Sequence, residues 1–252
     1  MTDLTGRTAL VTGGGSGLGA AIAHALSTAG ADLVVVGRRR DALDAVADRL
    51  PGSARALVCD VADEHSVALL SEALAGTEVS ILVNNAGIAG PVAALTDIGV
   101  DEWDEVFAVN VRGTFLMCRA FLPAMVARGA GDVVNLASVS GKRPLAHRTP
   151  YTASKMAVLG LTATLAFEVG PAGVSVNTLS PGPVEGERMA RNFRREAERS
   201  GGTAAEAEAA FVSRAALGRM VTEAEVGAAV VAMLAMPGMC GADVDLSAGM
   251  IA

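Results

Sequence analysis

Aromatic residues are scarce in this chain. They make up 3% of 252 residues, with one tyrosine, one tryptophan and six phenylalanines. A pocket for a large apolar ligand therefore has few side chains to build on, and Met156, Met189, Phe193, Phe211 and Met220 are the candidates. Positive charge is short as well. Twenty Lys and Arg against 27 Asp and Glu leave a formal net charge of −7, which opposes general attraction to nucleic acid or to an anionic membrane surface. The three cysteines, Cys59, Cys118 and Cys240, lie far apart and in no CxxC spacing. That argues against a disulfide framework or a zinc site and predicts buried thiols. Long hydrophobic runs are missing too: MTDLTGRTAL has no basic region ahead of an apolar stretch, and no later run approaches the roughly 20 apolar residues of a spanning helix. The expectation is a cytoplasmic protein with no membrane contact and no metal.

What is present is an apolar chain, 51% hydrophobic, of a length that suits one α/β domain with a large core. Short apolar, β-branched runs recur at TALVT (8–12), LVVVG (33–37), ALVCD (56–60), SILVN (80–84), DVVNLAS (132–138) and VSVNTLS (174–180). Between them lie stretches of helical periodicity such as GLGAAIAHALSTAG and RDALDAVADRL. Alternating β and α segments with strands buried on both faces predict a single doubly wound Rossmann-type domain over residues 1–252, a parallel sheet of about seven strands with helices on both faces. Residues 185–215 break the composition, being charged and Ala-rich, and read as a helical, mobile substrate-binding segment over the carboxyl edge of the sheet.

The stretch TGGGSGLG (12–19) follows the first strand and opens the first helix. Close-set glycines there let backbone approach a pyrophosphate and turn helix N-terminal amides toward it, which makes Gly13, Gly15, Ser16, Gly17 and Leu18 candidate cofactor-binding residues. The second strand ends VVVGRRRDAL: Gly37 stands where an NAD site usually carries the acid that bonds the ribose diol, and Arg38, Arg39 and Arg40 follow. Planar donors suit a 2′-phosphate, so Arg38 and Arg39 favour NADP(H) over NAD(H). Asp60, closing the third run, reads as a helix N-cap residue or a cofactor contact. NNAG (84–87) ends the fourth run in small residues that let backbone pass beside the cofactor, with Asn85 and Gly87 the residues concerned.

Tyr151 and Lys155 are four apart, so a helix starting near Thr149 or Pro150 places them on one face. An ammonium about 4 Å from a phenol, at an effective dielectric of about 20, favours the phenolate by roughly 4 kcal/mol before desolvation. Tyr151 then becomes a general acid in reduction and a general base in oxidation. Ser138, thirteen residues upstream, is placed to bond the substrate oxygen. Asn110, in VFAVNVRGTFL, is a polar residue in an otherwise apolar helix, which by itself implies a core hydrogen bond to backbone.

From LTGRTALVTGGGSGLG to GADVDLSAGM the chain resembles the short-chain dehydrogenase/reductase family, most closely the members of similar length that include the 3-oxoacyl-[acyl-carrier-protein] reductases and many carbonyl and alcohol oxidoreductases. Asn110, Ser138, Tyr151 and Lys155 fall in that family's order and spacing. The resemblance implies that they are the catalytic set, with Asn110 holding a water in a proton relay from Lys155. It also implies that Tyr151 and Lys155 touch the cofactor, that Asp60 and Val61 flank the adenine, and that Pro181 and Val184, in SPGPVEGERM, meet the nicotinamide carboxamide. Two departures stand out. Gly186 replaces the threonine expected in that loop, and DLSAGM replaces a more familiar VDGG. The implied activity is an NADP(H)-dependent oxidoreductase moving hydride between nicotinamide and a carbonyl or secondary alcohol carbon. The alternatives are an NAD(H)-dependent alcohol dehydrogenase of the same family, a non-catalytic dinucleotide-sensing protein, which is expected to lack part of the set, and a sugar-nucleotide epimerase, which is usually longer. The family also implies a homo-oligomer, a tetramer or dimer, in which the helix over 103–128 and the one starting near Tyr151 pair across subunits. Lys142, Arg143, His147 and Arg148, with Arg188, Arg191, Arg194 and Arg195 in the segment opposite, suggest a small-molecule carbonyl or alcohol substrate that is anionic if several of them face the cleft.

Overall fold

Among the residues described in the computed structural model, 2–143 and 145–250 without the side chains of Arg188, Arg195 and Arg199, the apolar runs form seven parallel strands. These are β1 Thr8–Thr12, β2 Asp32–Gly37, β3 Ala54–Val58, β4 Val79–Asn84, β5 Gly131–Leu136, β6 Val174–Pro181 and β7 Asp243–Leu246. They lie in one sheet in the order β3-β2-β1-β4-β5-β6-β7. The order reverses between β1 and β4, and in an open α/β sheet the crevice at the carboxyl ends of such a pair is where ligands bind.

The connecting helices are α1 Gly17–Thr28, α2 Arg40–Ala47, α3 Glu64–Ala73, α4 Val100–Phe107, α5 Gly113–Arg128, α6 Thr149–Val169, α7 Glu187–Ser200, α8 Ala204–Val212 and α9 Glu223–Leu234. Because side chains alternate along a strand, the sheet feeds two cores. Val11, Val35, Val83 and Leu179 pack with Ile22 and Leu26 of α1 and Val226 and Val230 of α9. Leu10, Val34, Leu82 and Val133 face the other way, onto Leu70 of α3 and Met117 and Phe121 of α5. α1 and α9 approach closely, since a Cβ on Gly227 would stand 2.8 Å from the Ala21 carbonyl oxygen.

Several sequence expectations shift in detail. β3 stops at Val58, because Asp60 turns the chain: its N–H donates to Ser66 Oγ and its carboxylate accepts from Ala62 N. The N-cap of α3 is Asp63, which accepts from His65 N. β5 stops at Leu136, and Ser138 Oγ accepts from Ser140 N to open a 3-10 turn over Val139–Gly141. The helix expected over 103–128 starts at Val100 and contains a π turn, Ala108–Arg112, that holds Asn110. β7 is absent from the apolar runs because it is an edge strand whose sequence, DVDL, alternates acid with aliphatic. Of the three thiols, Cys59 and Cys118 are buried but Cys240 is exposed. Burial pushes the Cys118 thiol up to about 12 despite a hydrogen bond from Asn84. No helix among the described residues is long and apolar enough to cross a membrane.

Candidate active site

The turn after β1 is held by Thr12 and Asn85. Thr12 Oγ1 accepts from the N–H groups of Asn85 and Ala86, both at 3.0 Å, and donates to Val83 O at 3.3 Å, tying the end of β1 to the end of β4. Asn85 answers from the other side: its Nδ2 donates to Thr12 O at 2.9 Å and to Gly13 O at 3.4 Å. Its amide nitrogen is thus spent on shaping the glycine turn. Gly13 has φ +65, and a Cβ on Gly19 would stand 2.1 Å from the Gly13 carbonyl oxygen. Only glycine fits at Gly19. Ser16 precedes α1 without a side-chain cap bond, and the first turn of α1 carries no acidic residue, so its N-terminal amides remain for an anion.

A cleft of about 810 Å³ opens from this turn. It brings together Gly13, Gly15, Ser16, Gly17, Leu18, Arg38, Arg39, Asp60, Val61, Asn85, Gly87, Ser138, Tyr151, Lys155, Pro181 and Val184. Of the residues named from the sequence as catalytic or cofactor-binding, Asn110 alone does not line the cleft; it lies behind the wall, 1% exposed. The cleft is narrow at Gly87, where a Cβ would stand 3.2 Å from Asn110 Oδ1 and 3.6 Å from Lys155 Nζ. These features suit a dinucleotide: a glycine cradle at a helix start, arginines after β2, and an opening kept by a missing Cβ.

Helix α6 starts with Pro150 in its first turn and carries Tyr151 and Lys155 to the cleft. Lys155 is 5% exposed, and its Nζ donates to Leu136 O at 2.7 Å. That ammonium lies 5.7 Å from the centroid of the Tyr151 ring, and the Arg148 guanidinium lies 5.8 Å from it. Two cations therefore lie within cation–π range of the Tyr151 ring. Ser138 is buried beside them, with its hydroxyl 3.5 Å from Pro181 O.

Asn110 anchors this arrangement from the π turn. Its Oδ1 accepts from Ile88 N at 2.8 Å, and its Nδ2 donates to Ile88 O at 3.0 Å and Ser154 Oγ at 2.9 Å. Ser154 Oγ donates in turn to Tyr151 O at 2.8 Å. The chain after NNAG and the first turn of α6 are thus clamped through one amide. Sequence reasoning passed over Ser154; its signal is a small polar residue one place before Lys155, on a helix turn that must meet a buried Asn.

The basic residues beside Tyr151 are largely committed. Lys142 pairs with Asp243 at 2.8 Å and with Asp245. Burial pulls its pKa down, but the bonds and charges of those two carboxylates outweigh that and raise it. Arg143 donates to Met250 O, and Arg194 pairs with Glu187 at 2.6 Å. Arg191 lines the cleft with Glu187 3.8 Å away, while the side chains of Arg188 and Arg195 lie outside those described. A cluster of cations facing the substrate, expected if the substrate were anionic, is therefore not assembled here by Lys142, Arg143 or Arg194. The apolar candidates Met189, Phe193 and Met220 form a small core with Phe211, and Met156 is exposed. Glu185, Glu187, Arg191 and Glu223, which the sequence did not single out as cofactor contacts, also line the cleft.

The family model described as short chain dehydrogenase matches residues 7–198. The chain is 48% identical over 190 residues to galactitol 2-dehydrogenase (L-tagatose-forming) of Cereibacter sphaeroides, a match covering 73% of this chain and 74% of that one. Its fold superposes on L-sorbose reductase from Gluconobacter frateurii, complexed with NADPH and L-sorbose, with a TM-score of 0.93, 25% identity and coverage of 99% and 98%. It superposes on NAD+-bound xylitol dehydrogenase with a TM-score of 0.90, 27% identity and coverage of 98% and 99%.

Proposed function

The chain belongs to the short chain dehydrogenase family and is an NAD(P)-dependent oxidoreductase of CH–OH and C=O groups; from that premise we propose that it moves hydride between NADP(H) and a polyol or its ketose, with Tyr151 as proton donor and acceptor. The observation that carries this reading is that Tyr151, Lys155 and Ser138 line the same cleft as the glycine turn. When bound, the nicotinamide supplies or accepts the hydride.

The chain's own residues do the rest. The amides at the start of α1 and the Gly13–Gly19 turn bind the pyrophosphate. Asp60 and Val61 would border the adenine, and the missing Cβ at Gly87 would leave room for the cofactor. Pro181 and Val184, which bridges to Val221, border the carboxamide. Ser138 bonds the substrate oxygen and holds it toward Tyr151. In reduction the Tyr151 hydroxyl gives its proton to that oxygen; in oxidation the phenolate takes it back. Lys155, fixed by Leu136 O, favours the phenolate. Asn110 positions Tyr151 through Ser154.

NADP(H) is supported by the absence of an acid at Gly37 and by Arg38 and Arg39 facing the cleft, where their donors suit a 2′-phosphate. NAD(H) is the second reading, favoured by the likeness to NAD+-bound xylitol dehydrogenase. A neutral polyol substrate is supported by the galactitol and L-sorbose specificities in the names of the relatives and by the acidic partners that occupy Lys142 and Arg194. In this reading the described chain acts as one cytoplasmic domain, α7 and α8 form the substrate-binding segment, and a second copy covers the exposed Phe115 and Phe167 of α5 and α6.

The test is a panel of polyols, ketoses and acidic keto substrates, with oxidation and reduction followed for both coenzyme pairs. The expected result is the highest kcat/KM for a polyol–ketose pair with NADP(H). Preference for acidic substrates would refute the substrate assignment.

A further inference from the structure

Glu223 opens α9 and lines the cleft, yet neither the proton chemistry nor a capping hydrogen bond uses it. The N-terminus of α9 is already served: Thr222 N donates to Glu225 Oε2 at 2.8 Å and Glu225 N to Thr222 Oγ1 at 3.2 Å. Glu225 is further tied to Arg219 at 2.6 Å, a bond that holds its carboxyl down at about 2. Glu223 itself has no hydrogen bond or ion pair among the described residues.

Its carboxylate sits between two turns. Glu223 Oε1 is 3.6 Å from the place a Cβ on Gly17 would occupy and 3.3 Å from the place of one on Gly186. Both glycines have positive φ, +52 and +142. Gly17 begins α1, the helix whose first turn is otherwise free of acids, and Gly186 immediately precedes α7. Arg191, the cation that α7 brings to the same cleft, is within ion-pair distance of Glu187, and among the described side chains none forms an ion pair with Glu223. An anion arriving at the α1 amides meets a fixed negative charge beside them.

We propose that Glu223 sets the affinity of the dinucleotide, opposing its pyrophosphate across the Gly17 turn and so keeping coenzyme binding weak and release fast. The proposal rests on the reading of the Gly13–Gly19 turn as the pyrophosphate cradle. It makes Glu223 an affinity-determining residue, outside the proton relay. The effect is electrostatic and screened by salt.

Dissociation constants for NADP+ and NADPH, measured by calorimetry on the full chain and on Glu223→Gln, test it. The expected result is about fivefold tighter binding of both by the variant at low salt, the scale of a like charge a few ångströms away in a partly solvated site. The gain should shrink as salt is raised, and the affinity for uncharged adenosine should stay the same. Unchanged or weaker dinucleotide binding by Glu223→Gln overturns the proposal. A fall in Tm with unchanged dissociation constants overturns it as well, since it leaves Glu223 only a role at the end of α9. A wild-type chain that binds neither dinucleotide defeats the cradle assignment itself, and the proposal with it.

Discussion

Arg38 and Arg39 face the cleft, whereas Arg40, the next residue, closes onto Asp44 at 2.9 Å on the surface of α2. On the proposed NADP(H) reading, coenzyme choice depends on these two side chains. Replacing Arg38 with Asp removes a charge-assisted donor and adds repulsion, which should shift the ratio of kcat/KM for NADPH over NADH by about tenfold or more toward NADH. Steady-state kinetics with both coenzymes check this, and an unchanged ratio counts against the phosphate contact. Single residues also mark the limit of what could be read from sequence. Helix spacing puts Tyr151 and Lys155 on one face and the family's order and spacing add Ser138, and the three do line one cleft. Glu223 was not legible, because it is separated from Gly17 by some two hundred positions and reaches the turn only through the packing of α9 on α1. Lys142 misled for the same reason: its partners, Asp243 and Asp245, are on the strand that the apolar pattern hid.

Among the elements, the glycine turn is the least tolerant. Gly19→Ala would drive a methyl into the Gly13 carbonyl, a collision that packing cannot relieve without moving the turn that Thr12 and Asn85 hold. The expected outcome is loss of NADPH binding by at least about tenfold with near-native helix content, read by fluorescence titration and circular dichroism. The π turn carries the other lesson. Periodicity predicts a plain helix through Asn110, because one extra residue per turn leaves no signature in an apolar pattern. Only the contacts reveal that the bulge aims the Asn110 amide at both Ile88 and Ser154. Element ends moved for similar reasons: side chains such as Asp60 and Ser138 bond nearby backbone and turn the chain sooner than apolar runs imply.

For the whole molecule, the alternation of strand and helix was enough to read a doubly wound sheet, since parallel pairing and right-handed crossovers leave few arrangements. The pairing order places the glycine turn, Arg38 and Tyr151 at one edge although they span β1, β2 and α6. The same order leaves α5 and α6 with outward aromatics: Phe167 is 86% exposed and Phe115 44%. In a chain so poor in aromatics this points to a covered face. If the chain forms the proposed homo-oligomer through this face, Phe167→Glu should lower the mass seen by light scattering; an unaltered mass would count against this face as a subunit interface. The central claim is that Tyr151 transfers the proton in an otherwise assembled site. The most direct measurement compares wild type and Tyr151→Phe for NADPH affinity and for turnover of the best polyol–ketose pair. The account predicts an affinity within about twofold and turnover lowered by at least about a hundredfold. Turnover retained at more than a few per cent of the wild-type rate would contradict it.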